Sequence, residues 1–173
     1  MSSVSIAGNT SGSVTLSAPD VAGSTTLTLP TTTSTLAING PAFSAYASTS
    51  TSISAGTRTK ITFATEYFDT NNNFASSRFT PTVAGYYQVN LSLQESNGTS
   101  TILQAELYKN GASYAVGGYI GTAGTYYIAG VSVLVYMNGT TDYLEGYCYS
   151  SASTSVGSTA NSNWFCGSLI RAA

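Results

Sequence analysis

The side chains that could do catalysis in this chain are few and lack their usual partners. The sequence contains no histidine, which removes Ser-His-Asp and Cys-His catalysis. Two pairs of carboxylates lie close together in sequence, Asp142 with Glu145 and Glu66 with Asp69. Residues three apart on a strand point to opposite faces, so neither pair is placed to flank one glycosidic bond. There is also no glycine-rich phosphate loop. We therefore expect no catalytic residue, no cofactor and no enzymatic activity.

Metal ligands are equally sparse. Cys148 and Cys166, in a chain without histidine, cannot complete a usual four-ligand zinc site. Residues 69–73 (Asp-Thr-Asn-Asn-Asn) resemble the start of a calcium loop, but Phe74 and Thr80 stand where an EF-hand requires Gly and Glu. Because Asn and Asp favour turns, this segment predicts a turn. The cysteines fall in different predicted strands, and two buried free thiols are favoured over a disulfide, which remains the alternative.

Tyrosine is the residue type with which the chain could bind a ligand. A tyrosine offers flat apolar area and a hydroxyl, so a group of them can form a carbohydrate- or receptor-binding surface. For each single tyrosine, packing between subunits or cover of the sheet is the favoured alternative. The candidates are Tyr114, Tyr119, Tyr126, Tyr127, Tyr143, Tyr147 and Tyr149.

Composition predicts the fold class that must position these side chains. Only 7% of the 173 residues are charged and 42% are hydrophobic, with 13 tyrosines and abundant Ser, Thr and Gly. Such a chain is typical of all-β proteins. The formal net charge of −2 offers no electrostatic footprint for nucleic acid. The chain contains no run of about 20 apolar residues, so we expect no membrane insertion. The first residues lack the pattern of a secretory signal.

Alternation of apolar and polar residues predicts the strands. In 85–93, Tyr87, Val89 and the two following leucines point one way, so this stretch predicts a half-buried strand. Residues 130–137 are apolar on both faces, with Leu134 and Tyr136 opposite three valines, which suggests burial on both sides. Asn-Gly pairs at 110–111 and 138–139 predict turns, while 48–56 and 150–163 are interpreted as polar loops. About eight strands at this spacing predict a β-sandwich or jelly roll.

The first 40 residues form a segment of different character. Three short alternating runs are separated by Ser, Thr, Gly and Pro, and each run is too short to bury much surface alone. We interpret 1–40 as an extended N-terminal arm that is ordered by a partner, and 41–173 as the head domain. A flexible Ser/Thr linker is the alternative. The anchoring residues are expected to be Val14, Leu16, Leu27, Leu29, Leu36 and Ile38.

Five short segments in order give the head a family resemblance. They are Pro41-Ala42-Phe43-Ser44-Ala45-Tyr46, Phe79-Thr80-Pro81 with Gly85-Tyr86-Tyr87, Leu107-Tyr108-Lys109-Asn110-Gly111, Gly139 with Asp142-Tyr143-Leu144, and Phe165-Cys166-Gly167-Ser168-Leu169. Over about 41–171 this set resembles the globular head of complement component one-q and its tumour-necrosis-factor-like relatives. The resemblance implies a jelly roll of ten strands that assembles as a homotrimer. Tyr87, Val89, Leu134 and Tyr136 are the candidates for the trimer interface.

The arm is similar to segments that precede such heads in tailed-bacteriophage fibre and virion-surface proteins. The residues that carry this similarity lie in 12–19, 22–30 and 35–37. Together the two resemblances imply a virion structural protein: a trimeric capsid decoration or cement protein on the virion surface, assembled in the bacterial cytoplasm. Its expected partners are the major capsid protein or a tail or fibre adaptor. The alternative is the receptor-binding tip of a tail or head fibre, with a host surface receptor or glycan as partner.

Overall fold

The chain divides into two units, 1–35 and 36–173. The structure, a computed structural model, describes residues 3–7, 10–17, 23–24, 40–121 and 127–173. In the first unit, β1 (Ser3–Ala7) and β2 (Ser13–Ser17) pair antiparallel, with Val4 opposite Leu16. The predicted run at 14–16 therefore lies within a strand. The runs at 27–29 and 36–38, with Leu27, Leu29, Leu36 and Ile38, lie outside the described residues.

The regular elements in the described part of the second unit are all strands. They are β3 (Ala42–Tyr46), β4 (Ser50–Ile53), β5 (Arg58–Lys60), β6 (Thr65–Asp69), β7 (Phe74–Ala75), β8 (Arg78–Phe79), β9 (Gly85–Gln94), β10 (Ile102–Lys109), β11 (Ala112–Ile120), β12 (Ile128–Met137), β13 (Leu144–Ser150), β14 (Thr154–Gly157) and β15 (Trp164–Ala172). No helix long and apolar enough to cross a bilayer occurs among the described residues.

These strands form two main antiparallel sheets. The five-stranded sheet has the order β12-β9-β15-β3-β6. The six-stranded sheet has the order β11-β10-β13-β8-β7, with β5 also paired to β13. A short pair, β14 with β4, lies apart from both. The all-β sandwich that the alternation predicts is confirmed.

The core between the sheets is filled by the alternating apolar residues. Tyr87, Val89 and Leu91 of β9 are almost completely buried, as the half-buried strand pattern requires. Phe43 lies at the centre of an aromatic cluster, with its ring centroid 4.3 Å from that of Phe79 and 4.9 Å from that of Phe165. Each such side chain contributes about 1.5–3 kcal/mol of burial free energy, so this cluster fixes how the sheets pack.

The predicted turns are found where the sequence places them. Asn110 and Gly111 have φ of 52° and 80° and join β10 to β11 in a tight hairpin, as Asn-Gly predicts. Asn72, in the predicted turn at 69–73, also has positive φ, at 52°. Asp69 stabilises that turn, since its carboxylate accepts from the Asn71 and Phe74 backbone N–H groups.

Two segments interpreted as polar loops contain strands. β4 and β14 pair with each other, with Ile53 opposite Thr154 and Thr51 opposite Val156. Only Ile53 and Val156 of these strands are apolar and fully buried, so the alternation is too short to stand out in a Ser/Thr-rich sequence. Their pairing is long-range, and local pattern does not report it.

Both cysteines are free thiols. Cys148 is buried in the core, whereas Cys166 is only half-buried. The favoured prediction of free thiols is confirmed, and the burial of Cys166 was overestimated.

Candidate interaction surfaces

The outer surface of the five-stranded sheet carries four exposed large apolar side chains at one end. They are Tyr86, Leu134, Tyr136 and Ile170, with exposures of 43, 51, 41 and 60%. We call this group the apolar face. Tyr86 and Tyr136 are cross-strand partners whose ring centroids lie 5.5 Å apart. The face arises because the outward residues at this end of β9, β12 and β15 are apolar, whereas farther along β9 the outward residues are polar.

The structure corrects half of the predicted trimer interface. Tyr87 and Val89 are 0% and 1% exposed within a single chain, so they cannot contact another copy. Val135 lies opposite Tyr87, and Leu134 lies opposite Gln88. Directly opposed residues point to the same side of a sheet, so Tyr87 belongs to the core and Leu134 to the outer surface. The four candidates therefore combined residues from two different faces.

A cavity of about 610 Å³ lies at this end of the sheet, lined by Tyr86, Leu134 and Ile170 with Arg171 and the last two alanines.

Beside the apolar face, the middle of the sheet is polar but internally hydrogen-bonded. Ser132 Oγ donates to Asn90 Oδ1 at 2.7 Å, and Gln88 Nε2 donates to Ser132 Oγ at 3.0 Å. These polar groups already have partners, so covering this surface would leave few of them unsatisfied.

The outer surface of the six-stranded sheet is different in kind, because it carries ion pairs. Arg58 Nε lies 3.0 Å from both carboxylate oxygens of Glu106. Lys60 Nζ lies 2.7 Å and Arg78 Nε 2.9 Å from Glu145 Oε1. Glu106 and Glu145 are buried beneath these cations, with 0% and 3% exposure. We call these five residues the ion-pair face.

Tyrosines lie among these charges. Tyr108 and Tyr147 are stacked, with ring centroids 4.0 Å apart. The guanidinium of Arg78 lies 3.9 Å from the centroid of the Tyr143 ring, and that of Arg58 lies 5.2 Å from the centroid of the Tyr149 ring. These rings thus cover the sheet and hold the arginines in place by cation–π attraction.

The structure brings together only some of the seven candidate tyrosines. Tyr143, Tyr147 and Tyr149 share the outer surface of the six-stranded sheet. Tyr114 is exposed on β11, where its hydroxyl donates to the Leu134 carbonyl at 3.4 Å, and Tyr127 is buried. The side chains of Tyr119 and Tyr126 lie outside the described residues. Tyr108 was not among the candidates, although residues alternate over 102–108 and place it on the side opposite Leu103, Ala105 and Leu107.

Environment shifts the pKa of several groups on this sheet. Burial alone would raise the pKa of Glu145, but hydrogen bonds and charges from Lys60 and Arg78 outweigh it and lower that pKa. Burial and the Glu106 charge raise the pKa of Tyr108. On the core side, burial raises the pKa of the Cys148 thiol to about 12, which makes it unreactive at neutral pH.

Asp142, one of the candidate carboxylates, is held by structural contacts. Asp142 accepts from Asn110 Nδ2 and from the Asn138 backbone N–H, and it pairs with Lys109. These contacts overcome the effect of burial and lower its pKa. Among the described residues, no three Cys, Asp or Glu side chains are grouped so that they could hold a metal ion.

Comparison with solved structures identifies the architecture. The chain is similar to the globular domain of zebrafish complement 1qA, with a TM-score of 0.60 and 14% identity over 78% of this chain and 100% of that one. Murine APRIL gives a TM-score of 0.62 and 6% identity, over 76% of this chain and 100% of that one. Eiger TNF from S. frugiperda gives a TM-score of 0.58 and 8% identity, over 78% of this chain and 94% of that one. The fold is the C1q and TNF jelly roll.

At these identities the similarity shows the fold alone. No family model matches the sequence, and neither does any curated protein. The jelly roll implied by the five sequence segments is confirmed. The two sheets of that jelly roll place the apolar face and the ion-pair face on opposite outer surfaces of the head.

Proposed function

We propose that this protein is a structural protein whose head assembles through the apolar face into a homotrimer. The observation that carries the proposal is the apolar face itself. In a chain with only 7% charged residues, four large apolar side chains are exposed together on one sheet. Such clusters mark interaction sites on soluble proteins. Other copies are the occupants that we propose, because the resemblance of the head to the C1q and TNF proteins implies a trimer.

The assembled head is further proposed to be a virion component, a decoration or cement protein of a bacteriophage capsid attached through the N-terminal unit. The support is the similarity of 12–37 to the segments that precede such heads in phage surface proteins. A short two-stranded unit such as β1–β2 is marginally stable alone, which suits a segment that is ordered on a partner surface. The alternative, a receptor-binding fibre tip, is supported by the tyrosines and cations on the opposite sheet.

The assembly is tested by charging the apolar face. Leu134→Asp should convert a particle of three times the 17.8 kDa chain mass to a monomer, since a carboxylate would be buried without a partner. The control is Val116→Asp, because Val116 is equally exposed, at 51%, but lies on β11 of the other sheet. Light scattering after gel filtration measures both masses. A trimeric Leu134→Asp protein, or a wild-type monomer, contradicts the proposal.

The virion role is tested by counting copies on purified particles with and without tails. Hundreds of copies retained on tail-less heads support a capsid decoration protein. A few copies that leave with the tail support the fibre tip, and the absence of copies from both contradicts a virion role.

A further inference from the structure

A cavity of about 500 Å³ lies beside the turn between β7 and β8. Its walls include Lys60, Asn72, Ser76, Arg78, Thr80 and Thr82. The two cations belong to the ion-pair face, on the sheet that does not carry the apolar face. Cavities of this volume hold small ligands with a few fixed polar groups. The cavity is therefore a candidate site that the proposed assembly does not use.

The cavity carries an excess of positive charge. Lys60 and Arg78 share a single carboxylate, Glu145, and none of the described residues that line the cavity is acidic. One positive charge therefore remains uncompensated at this place in a protein whose net charge is −2. An anion is the ligand that this local charge attracts, against the sign of the whole molecule.

Both cations keep hydrogen-bond donors for such an anion. Lys60 Nζ donates to Glu145 Oε1 and, at 3.0 Å, to the Ser76 carbonyl, which uses two of its three hydrogens. Arg78 uses Nε and Nη2 on Glu145 Oε1, and a guanidinium has five N–H groups. The Tyr143 ring fixes the plane of the Arg78 guanidinium. Donors held in this way lose little freedom when a ligand binds.

The wall beside them is also fixed in advance. Ser76 and Ser77 have φ of 51° and 58°, a left-handed conformation that is costly for serine. This strained turn presents the Ser76 carbonyl to Lys60 Nζ. Asn73, which also lines the cavity, is fixed by hydrogen bonds: its Oδ1 accepts from the Thr82 backbone N–H at 3.2 Å and its Nδ2 donates to the Asn71 carbonyl at 3.1 Å. The strained turn thus fixes the position of the charged Lys60 amine.

We propose that this cavity binds an acidic saccharide. The sugar carboxylate lies against the free donors of Lys60 and Arg78. The remaining lining groups, an amide on Asn72 and hydroxyls on Thr80 and Thr82, hydrogen-bond to the sugar hydroxyls. A compact inorganic anion would use only the cations, whereas a polyhydroxylated acid uses both kinds of group. The site goes beyond the proposed structural role and does not depend on the state of assembly.

The test is titration of the full-length protein with D-glucuronate, followed by saturation-transfer NMR. D-Glucose is the matched neutral sugar, and inorganic phosphate is the simple anion. Glucuronate should bind about tenfold more tightly than either one, because only it has both a negative charge and a ring of hydroxyls. Equal affinity for glucose overturns the role of the charge. Equal affinity for phosphate shows a general anion site and overturns the saccharide proposal.

Two variants assign the binding to this cavity. Lys60→Gln should weaken glucuronate binding about tenfold, while Arg58→Gln should leave it unchanged. Arg58 is the matched control because it lies two residues away on β5 and faces the same side, but it pairs with Glu106 outside the cavity. Equal losses in the two variants, or no loss in either, overturn the assignment.

A further pair of variants, at Ala75, keeps every cation in place. Ala75 lines the cavity and is exposed, so Ala75→Glu adds a negative charge with little risk to folding. Glucuronate binding should fall about tenfold in Ala75→Glu and much less in Ala75→Gln, which has the same size without the charge. Unchanged binding in Ala75→Glu contradicts the proposal even if Lys60→Gln fails to fold.

Discussion

At the scale of single residues, the chain concentrates its few charges in pairs. Four of its five cations are Arg58, Lys60, Arg78 and Lys109, and each lies against a carboxylate. Glu106 and Glu145 are buried, so losing their cationic partners would cost far more stability than breaking an exposed ion pair. A low charge content therefore does not mean that charge is unimportant to the stability of this head.

Glu145 should make stability depend on pH in the acid range. Its pKa is lowered in the folded state from a reference value of 4.5, so between the two pKa values the unfolded chain binds more protons. The stabilisation is fully present above that reference value and is lost as pH falls through the folded pKa. We expect Glu145→Gln to cost about 2 kcal/mol at neutral pH.

The measurement is the free energy of unfolding of wild type and Glu145→Gln from pH 7 to pH 3. The difference between the two proteins should narrow below about pH 4.5, because the wild-type carboxylate becomes protonated. A difference that stays constant down to pH 3 would show that Glu145 does not titrate as argued.

Residue types alone could not identify the ion pairs of the ion-pair face. The alternation of the strand at 102–108 places Glu106 and Tyr108 together opposite the core residues. It does not show that Arg58, 48 residues away, lies beside Glu106. That neighbour depends on β5 pairing with β13, a contact that local sequence does not encode.

At the scale of elements, long alternating strands were predictable and short ones were not. β9 and β12 each carry at least four alternating positions, and both were anticipated from sequence. β4 and β14 were missed because each has a single buried apolar residue in a Ser/Thr-rich segment. Two of the trimer-interface candidates, Tyr87 and Val89, were also wrong, because both belong to the core. Alternation shows which residues of a strand share a face, but not whether that face meets the core or the surface.

The turn between β12 and β13 should tolerate no side chain at Gly139. This residue has φ of 73°, and an added Cβ would lie 2.4 Å from the Ala84 backbone nitrogen. Gly139→Ala should therefore lower the free energy of unfolding by more than about 2 kcal/mol. Urea titration measures the change.

Gly56 provides the matched control. Its φ is 71°, but nothing lies within 4 Å of an added Cβ. Gly56→Ala should cost only the left-handed conformation, about 1 kcal/mol. Equal losses in the two variants would mean that the contact with Ala84 adds nothing to the backbone strain.

At the scale of the whole molecule, the head has a self-contained core. Among the described residues, the buried hydrophobic cluster runs from Phe43 to Phe165, within the second unit. Deleting residues 1–35 should therefore leave the melting temperature and the oligomeric mass of the head unchanged. Under the virion proposal the same deletion should abolish attachment to phage particles.

Thermal melting, light scattering and counting of particle-bound copies measure the three outcomes. Val116→Asp in the full-length chain serves as the control for attachment, since it alters the head and leaves the first unit intact. A deleted protein that still attaches contradicts the anchoring role of the first unit. A deleted protein that no longer folds contradicts the independence of the head.

The separation of the two outer surfaces has a consequence for how the protein responds to salt. Added salt screens the exposed cations of the ion-pair face, so a charged ligand there is held less tightly. Salting-out anions such as sulfate strengthen the burial of apolar surface, so the proposed subunit contacts at Tyr86, Leu134 and Ile170 would tighten. The same change of medium thus acts in opposite directions on the two sheets. In concentrated sulfate, an assembled head would therefore release a bound acidic saccharide while its subunits remained together.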